Sequence, residues 1–219
     1  MKTLNRYDHE RQVSINAGTV RLEGDLVIPA SAQGIVLFAH GSGSSRQSPR
    51  NRYVAQTLQQ AGLATLLIDL LTAEEEAIDR YTRHLRFDIG LLATRLVGAT
   101  DWLRQQPATI SLNLGYFGAS TGSAAALIAA TERPVAAIVS RGGRPDLAGS
   151  ALTRIQSPTL LIVGGRDEIV IDLNRRALAQ IPAEKQLTIV PGATHLFEEP
   201  GALESVADLA SQWFQRYLK

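Results

Sequence analysis

Strand-length apolar runs alternate with helical patterns along most of this chain, and that alternation constrains its fold more than any other feature. The runs are "GIVLFAH" (34–40), "LATLLIDL" (63–70), "LNLGYFG" (112–118), "VAAIVS" (135–140), "TLLIVGG" (159–165) and "QLTIV" (186–190). Continuous apolar runs of this length suit strands buried on both faces. "PRNRYVAQTLQQAG" between the first two reads as a helix, with Pro49 in its first turn and Gly62 at its end. A long helical pattern runs from about Phe87 to Gln106 and stops at Pro107. "STGSAAALIAATE" (120–132) is a small-residue helix, and further helices lie near 170–181 and 202–218. The charged residues 74–83 read as a surface excursion. Ahead of all these, "RQVSINAGTVRLEGDLVIP" alternates about a turn at Ala17-Gly18 and reads as an antiparallel hairpin. The order predicts an α/β fold: a mostly parallel eight-stranded sheet with an N-terminal antiparallel hairpin and helices on both faces, in one domain over 1–219. In such sheets chemistry gathers at the carboxyl ends of the strands. The loops to inspect begin at His40, Asp69, Gly118, Ser140, Gly164 and Pro191.

Composition narrows the chemistry. Cysteine is absent, which excludes disulfides, thiolate catalysis and cysteine metal sites. The 22 basic and 21 acidic residues nearly cancel, giving no general attraction to nucleic acid or to a membrane surface. The N-terminal "MKTLNRYDHERQVSI" is polar and lacks the apolar core of a signal peptide, so a cytoplasmic protein is expected.

The loop after "LNLGYFG" carries the strongest chemical signal. Gly118-Ala119-Ser120-Thr121-Gly122 fits G-x-S-x-G between a strand and a helix, the context a nucleophile elbow requires. There Ser120 is lifted off the sheet, and the backbone N–H of Thr121 can face a developing oxyanion. The bland alternative is a glycine-rich turn capped by serine. A serine nucleophile needs a base held by an acid, in the order serine, acid, histidine for this fold. Of His9, His40, His84 and His195, only His195 follows Ser120, in "PGATHLFEEP" after the last strand. "LLIVGGRDEIV" offers the acid. Asp167 comes first after the glycine turn, and Glu168 competes as a charge in a helix's first turn.

"HGSGSS", "GASTG", "GGRDE" and "GATHLF", in this order, make the chain resemble the α/β-hydrolase superfamily, and within it the dienelactone-hydrolase-like group. The resemblance spans nearly the whole chain. It implies Ser120 as nucleophile, Asp167 as acid and His195 as base, with the N–H of Ser42 as the second oxyanion donor beside Thr121. It requires no metal or organic cofactor. Dienelactone hydrolases proper use cysteine, so here serine takes that position. Only residues 140–156 separate two of the strands, which leaves little room for a lid. Small soluble acyl substrates, esters first among them, therefore suit the chain better than long-chain lipids.

The loop "FAHGSGSSRQSPRN" (38–51) also invites a nucleotide-binding reading, because Gly41 and Gly43 follow a strand and Asp69 ends the next one. Arg46 occupies the third glycine position, and no P-loop Gly-Lys-Ser/Thr follows, so that reading is weak. A non-catalytic binding protein on the same fold is the other alternative. His40, before the oxyanion glycine, is expected to support its loop. Phe197, Trp102 and Trp213 are expected in the core. The arginines around the strand ends read first as surface charges paired with nearby carboxylates. Arg46 and Arg141 lie nearest the strand ends and are the candidates for contact with an anionic substrate.

Overall fold

Residues 9–219 are described by the computed structural model. The polar stretch before them lies outside the described residues. The hairpin pairs β1 (His9–Ala17) with β2 (Val20–Ile28). Its register ends with Ala17 opposite Val20, so the turn is Gly18-Thr19 rather than Ala17-Gly18. Gly18, with φ +69, takes the left-handed position that this turn demands.

The remaining strands are β3 (Gly34–Ala39), β4 (Ala64–Ile68), β5 (Asn113–Ala119), β6 (Ala137–Arg141), β7 (Thr159–Gly164) and β8 (Lys185–Val190). Together they form one eight-stranded sheet in the order β1-β2-β4-β3-β5-β6-β7-β8. β1 and β2 run antiparallel, and from β4 through β8 all pairings are parallel. β3 and β7 are buried at every residue, as their unbroken apolar sequences anticipated. β8, at the edge, is buried only at Val190.

The helices are α1 (Pro49–Gln60), α2 (Ala73–Thr82), α3 (Ile89–Leu103), α4 (Thr121–Glu132), α5 (Glu168–Gln180) and α6 (Ala202–Tyr217). Val54 and Leu58 of α1 and Val206 and Phe214 of α6 pack with Val36, Phe38 and Phe117 on one sheet face. Leu92 and Leu96 of α3 and the alanine run of α4 pack with Ile35, Leu37 and Tyr116 on the other. Tyr116 is fully buried and bonds Thr100 Oγ1 at 2.6 Å, and burial pushes its phenol up to about 12. Phe197 and Trp213 are core residues, and Trp102 is partly buried against the core.

Two further stretches differ from the sequence expectation. Residues 74–83 are not a loose excursion but α2, closed by a capping box in which Thr72 and Glu75 satisfy each other's backbone N–H. The single helix expected over 87–106 starts at Ile89, because the Asp88 side chain accepts the Leu91 N–H and caps it. A short 3-10 turn, Leu85–Phe87, precedes it. Between β6 and β7 the chain makes only a 3-10 stretch, Pro145–Arg154, kinked at Gly149. Among the described residues no helix is long and apolar enough to cross a membrane.

The parallel register fixes the site. Ala39 lies beside Gly118, Ala119 beside Arg141, Arg141 beside Ile162, and Gly164 beside Val190. The carboxyl ends of β3, β5, β6, β7 and β8 therefore open onto one edge, and their loops share it.

Candidate active site

Ser120 occupies the one-residue step between β5 and α4, with φ 49 and ψ −121. A non-glycine residue held at such angles costs about 1–3 kcal/mol and persists only where its surroundings over-determine it. They do so here. The Ser120 N–H donates to the Arg141 carbonyl at 3.2 Å. The Ser120 carbonyl accepts from the Ser123 N–H at 3.1 Å, the Arg144 N–H at 3.1 Å and the Ser123 hydroxyl at 2.7 Å. Ser123 also accepts the Arg144 N–H through its hydroxyl, at 3.0 Å. Sequence reasoning passed over Ser123 as one more small residue. The signal is a hydroxyl three residues past Ser120, where a first-turn side chain can reach back.

Gly122 lets α4 sit this close to β3. A Cβ on it would stand 2.3 Å from the Ala39 carbonyl oxygen and 2.5 Å from that of His40, inside any real contact. The Thr121 N–H, first in α4, has no intrahelical acceptor and is available. The Ser42 N–H is not idle: it donates to the Thr121 hydroxyl at 2.9 Å.

His195 and Asp167 meet, Nδ1 to Oδ2, at 2.6 Å. Their loops are laced together by the Arg166 N–H on the Ala193 carbonyl (2.9 Å) and the Gly165 N–H on that of Val190 (2.8 Å). The Asp167 side chain is mostly buried and that of His195 is 38% exposed. Glu168 is exposed in the first turn of α5 and makes no such contact. Within its own loop, Thr194 N–H donates to the Glu199 carboxylate at 3.0 Å, which holds that carboxyl below its usual range. Ser120 and His195 are not hydrogen-bonded to each other, but one residue separates their supports. Gly142 (φ +51) follows Arg141, and a Cβ on it would lie 3.6 Å from His195 Cε1.

His40 is a strut, as expected. Its Nδ1 faces the Gly41 carbonyl at 2.9 Å, and its Nε2 faces the Leu70 N–H at 3.0 Å. A carbonyl only accepts and an N–H only donates, so the proton sits on Nδ1 and the ring is neutral. Burial pushes its pKa down, against the pull of Asp69 and Glu76. The sign follows. The unfolded chain takes up the proton at the ordinary 6.5, before the folded one does. The stabilisation is therefore complete above 6.5 and erodes as pH falls through it. A His40→Asn variant, weaker at neutral pH, should close its stability gap to the native protein as pH drops, in urea unfolding. A constant gap would contradict the neutral strut.

The two arginine candidates part company. The Arg46 guanidinium pairs with Asp69 and lies 3.5 Å from Asp25, while its backbone N–H donates to Asp69 at 2.7 Å. Arg46 thus ties the loop after β3 to the end of β4, with its guanidinium engaged by carboxylates, and it also lines a cleft beside that loop. Other charges pair likewise: Arg144 with Asp146, Arg95 with Glu75, and Arg86 with the fully buried Asp79. Arg141 is buried and, among the described residues, has no carboxylate partner. That cleft, of about 1120 Å3, borders the outer side of the loop after β3, over Arg46, Asp69 and Thr72. Ser120, Asp167 and His195 do not line it.

Known proteins match this architecture. The chain is 67% identical to the dienelactone hydrolase from Anabaena variabilis, with a TM-score of 0.96 over 98% of this chain and 100% of that one. A Xanthomonas campestris α/β serine hydrolase described as lacking a lid, 20% identical, shares the fold with a TM-score of 0.76 over 96% of each chain. Two Mycobacterium tuberculosis proteins provisionally named phosphoribosyl transferases are 60% identical over 211 residues, covering 95% of this chain and 47% of theirs. The chain thus spans about half the length of these curated relatives. The dienelactone hydrolase family model matches residues 22–219, from the second strand of the hairpin to the end of the chain, and this α/β-hydrolase-fold protein belongs to that family.

Proposed function

We propose that the protein is a serine hydrolase that cleaves small soluble esters through an acyl-enzyme on Ser120. One observation carries the reading: a serine at φ 49 on a strand-to-helix turn shares its strand-end edge with a histidine held by a carboxylate at 2.6 Å. His195 Nε2 takes the Ser120 proton as Oγ attacks the acyl carbonyl, then delivers it to the leaving alcohol. Asp167 fixes the proton of the neutral ring on Nδ1 and stabilises the imidazolium that forms. Water enters by the reverse path and releases the acid. The Thr121 N–H and the positive end of α4 meet the oxyanion, which is worth about 3–4 kcal/mol per well-placed donor. The short 3-10 stretch after β6 supports small substrates over long lipids.

Ser42 is a conditional donor. To reach the oxyanion, its N–H must leave the Thr121 hydroxyl, and that exchange subtracts about 1 kcal/mol from its contribution. Thr121→Val removes the competing acceptor, and kcat should rise by about fivefold at most. A lower kcat would assign the hydroxyl itself to the reaction.

The transferase name of the mycobacterial relatives is not extended to this chain, which matches only about half their length and carries a candidate triad of its own. A fluorophosphonate probe should label the native protein at Ser120 and leave Ser120→Ala unlabelled. A folded native protein that takes no label would favour the non-catalytic alternative.

A further inference from the structure

We propose that Arg141 and Arg50 form an anion subsite beside Ser120 that holds a phosphate group carried by the substrate. The proposal rests on Ser120 being the nucleophile, and it adds the substrate class.

Arg141 is 7% exposed, yet among the described residues no acidic side chain neutralises it. Its one protein acceptor among the described residues is the Asn51 side-chain oxygen, at a long 3.3 Å, and its Nε is buried with no partner at all. A buried charge is ordinarily paired, because desolvation without compensation is costly. The second arginine adds to that cost. Arg50 immediately precedes Asn51, the residue Arg141 reaches, and its own Nε is also buried and unpartnered. Burial first, and the Arg50 charge second, push the Arg141 guanidinium down to about 10. It remains a cation at neutral pH. Two arginines on neighbouring elements, with unused donors and, among the described residues, only the exposed Glu198 as a counter-charge, describe an anion site.

Its position ties it to the chemistry. The Arg141 carbonyl receives the Ser120 N–H, so the residue is built into the nucleophile's support. Arg50 and Asn51 stand in the first turn of α1, directly after the oxyanion loop. Arg50 reaches across to Glu198, at 3.4 Å, three residues beyond His195. The guanidinium pair is therefore bracketed by the loops of nucleophile, oxyanion donor and base. Arg50 is a third exposed, which gives the pair a route to solvent. Glu198 is mostly exposed and pairs loosely, so it offsets little of the total charge. Two guanidinium groups match a phosphate dianion better than a single carboxylate, and both present planar donors suited to phosphate oxygens.

Binding and turnover are tested apart. In the first arm, inorganic phosphate and acetate are titrated into the Ser120→Ala protein and followed by calorimetry. Saturable phosphate binding is expected, with acetate about tenfold weaker or more. Arg141→Met and the more exposed Arg50→Met should each weaken phosphate by about tenfold or more, the loss of a charge-assisted contact. Absent phosphate binding, or binding indifferent to Arg50→Met, would overturn the subsite even if Arg141→Met failed to fold. Acetate binding as tightly as phosphate would overturn the phosphate assignment. In the second arm, short acyl esters with a phosphate or a neutral group on the alcohol are compared with triad-intact protein. The native protein should prefer the phosphate ester, and Arg50→Met should lower the kcat/KM ratio of phosphate ester to neutral ester about tenfold. An unchanged ratio would overturn the subsite. If neither ester is turned over, the esterase reading fails while the first arm still decides the subsite.

Discussion

Ser120→Ala is expected to lower turnover of a short acyl ester by about 10⁶-fold, the scale seen when a serine nucleophile is removed from a working triad. Fold and stability should be nearly untouched, because the Ser120 hydroxyl takes no part in the bonds that hold the elbow. Those bonds use its backbone N–H and carbonyl. Asp167→Asn should cost about 10⁴-fold by presenting His195 with the wrong hydrogen-bonding partner. Steady-state kinetics beside circular dichroism would check both. Residual activity within about tenfold of the native value for Ser120→Ala would remove the acyl-enzyme on this serine.

Gly122→Ala is expected to have the largest structural effect. The added methyl meets carbonyl oxygens of Ala39 and His40 at 2.3 and 2.5 Å, and these belong to backbone at the end of a buried central strand. Neither side can yield as a flexible side chain would. Stability should fall by about 3 kcal/mol, at the upper end for overpacking. Whatever folds should lose about 10²-fold or more in kcat, because the elbow and the oxyanion loop would part. Gly90→Ala is the control: a Cβ there meets only the Asp88 carboxylate at 3.5 Å, and stability should change by under about 1 kcal/mol. A Gly122→Ala protein as stable and active as that control would mean that the close approach of α4 to β3 is not needed.

The strands were legible because most are buried on both faces, which writes them as unbroken apolar runs; β3 and β7 match within a residue. The hairpin turn slipped by one because alternation locates strands but not the pair of residues that close them. α2 was missed although Thr72-x-x-Glu75 is a readable capping box, since its charge disguised it as loop. At the candidate site, order pointed to Ser120, Asp167 and His195, because each follows its own strand, and the structure brings Asp167 rather than Glu168 to His195. What order could not give was partnership. Arg46 and Arg141 look alike as sequence, each near a strand end. One finds Asp69 and Asp25, and among the described residues the other finds only Asn51. Asp79, buried against Arg86, was invisible for the same reason: its partner depends on the left-handed turn at Arg83.

His195 hangs from the margin of the sheet, whereas Ser120 is anchored at its centre. β8 has one neighbour and little cover, and the loop bearing His195 begins where it ends. Marginal strands open locally at lower cost than central ones. Mild heat or denaturant would then disarm the protein reversibly, by loosening β8, while β3, β5 and the strained serine stay folded. Its working lifetime would be set by a frayed border, and its core stability would be a poor guide to how long it functions.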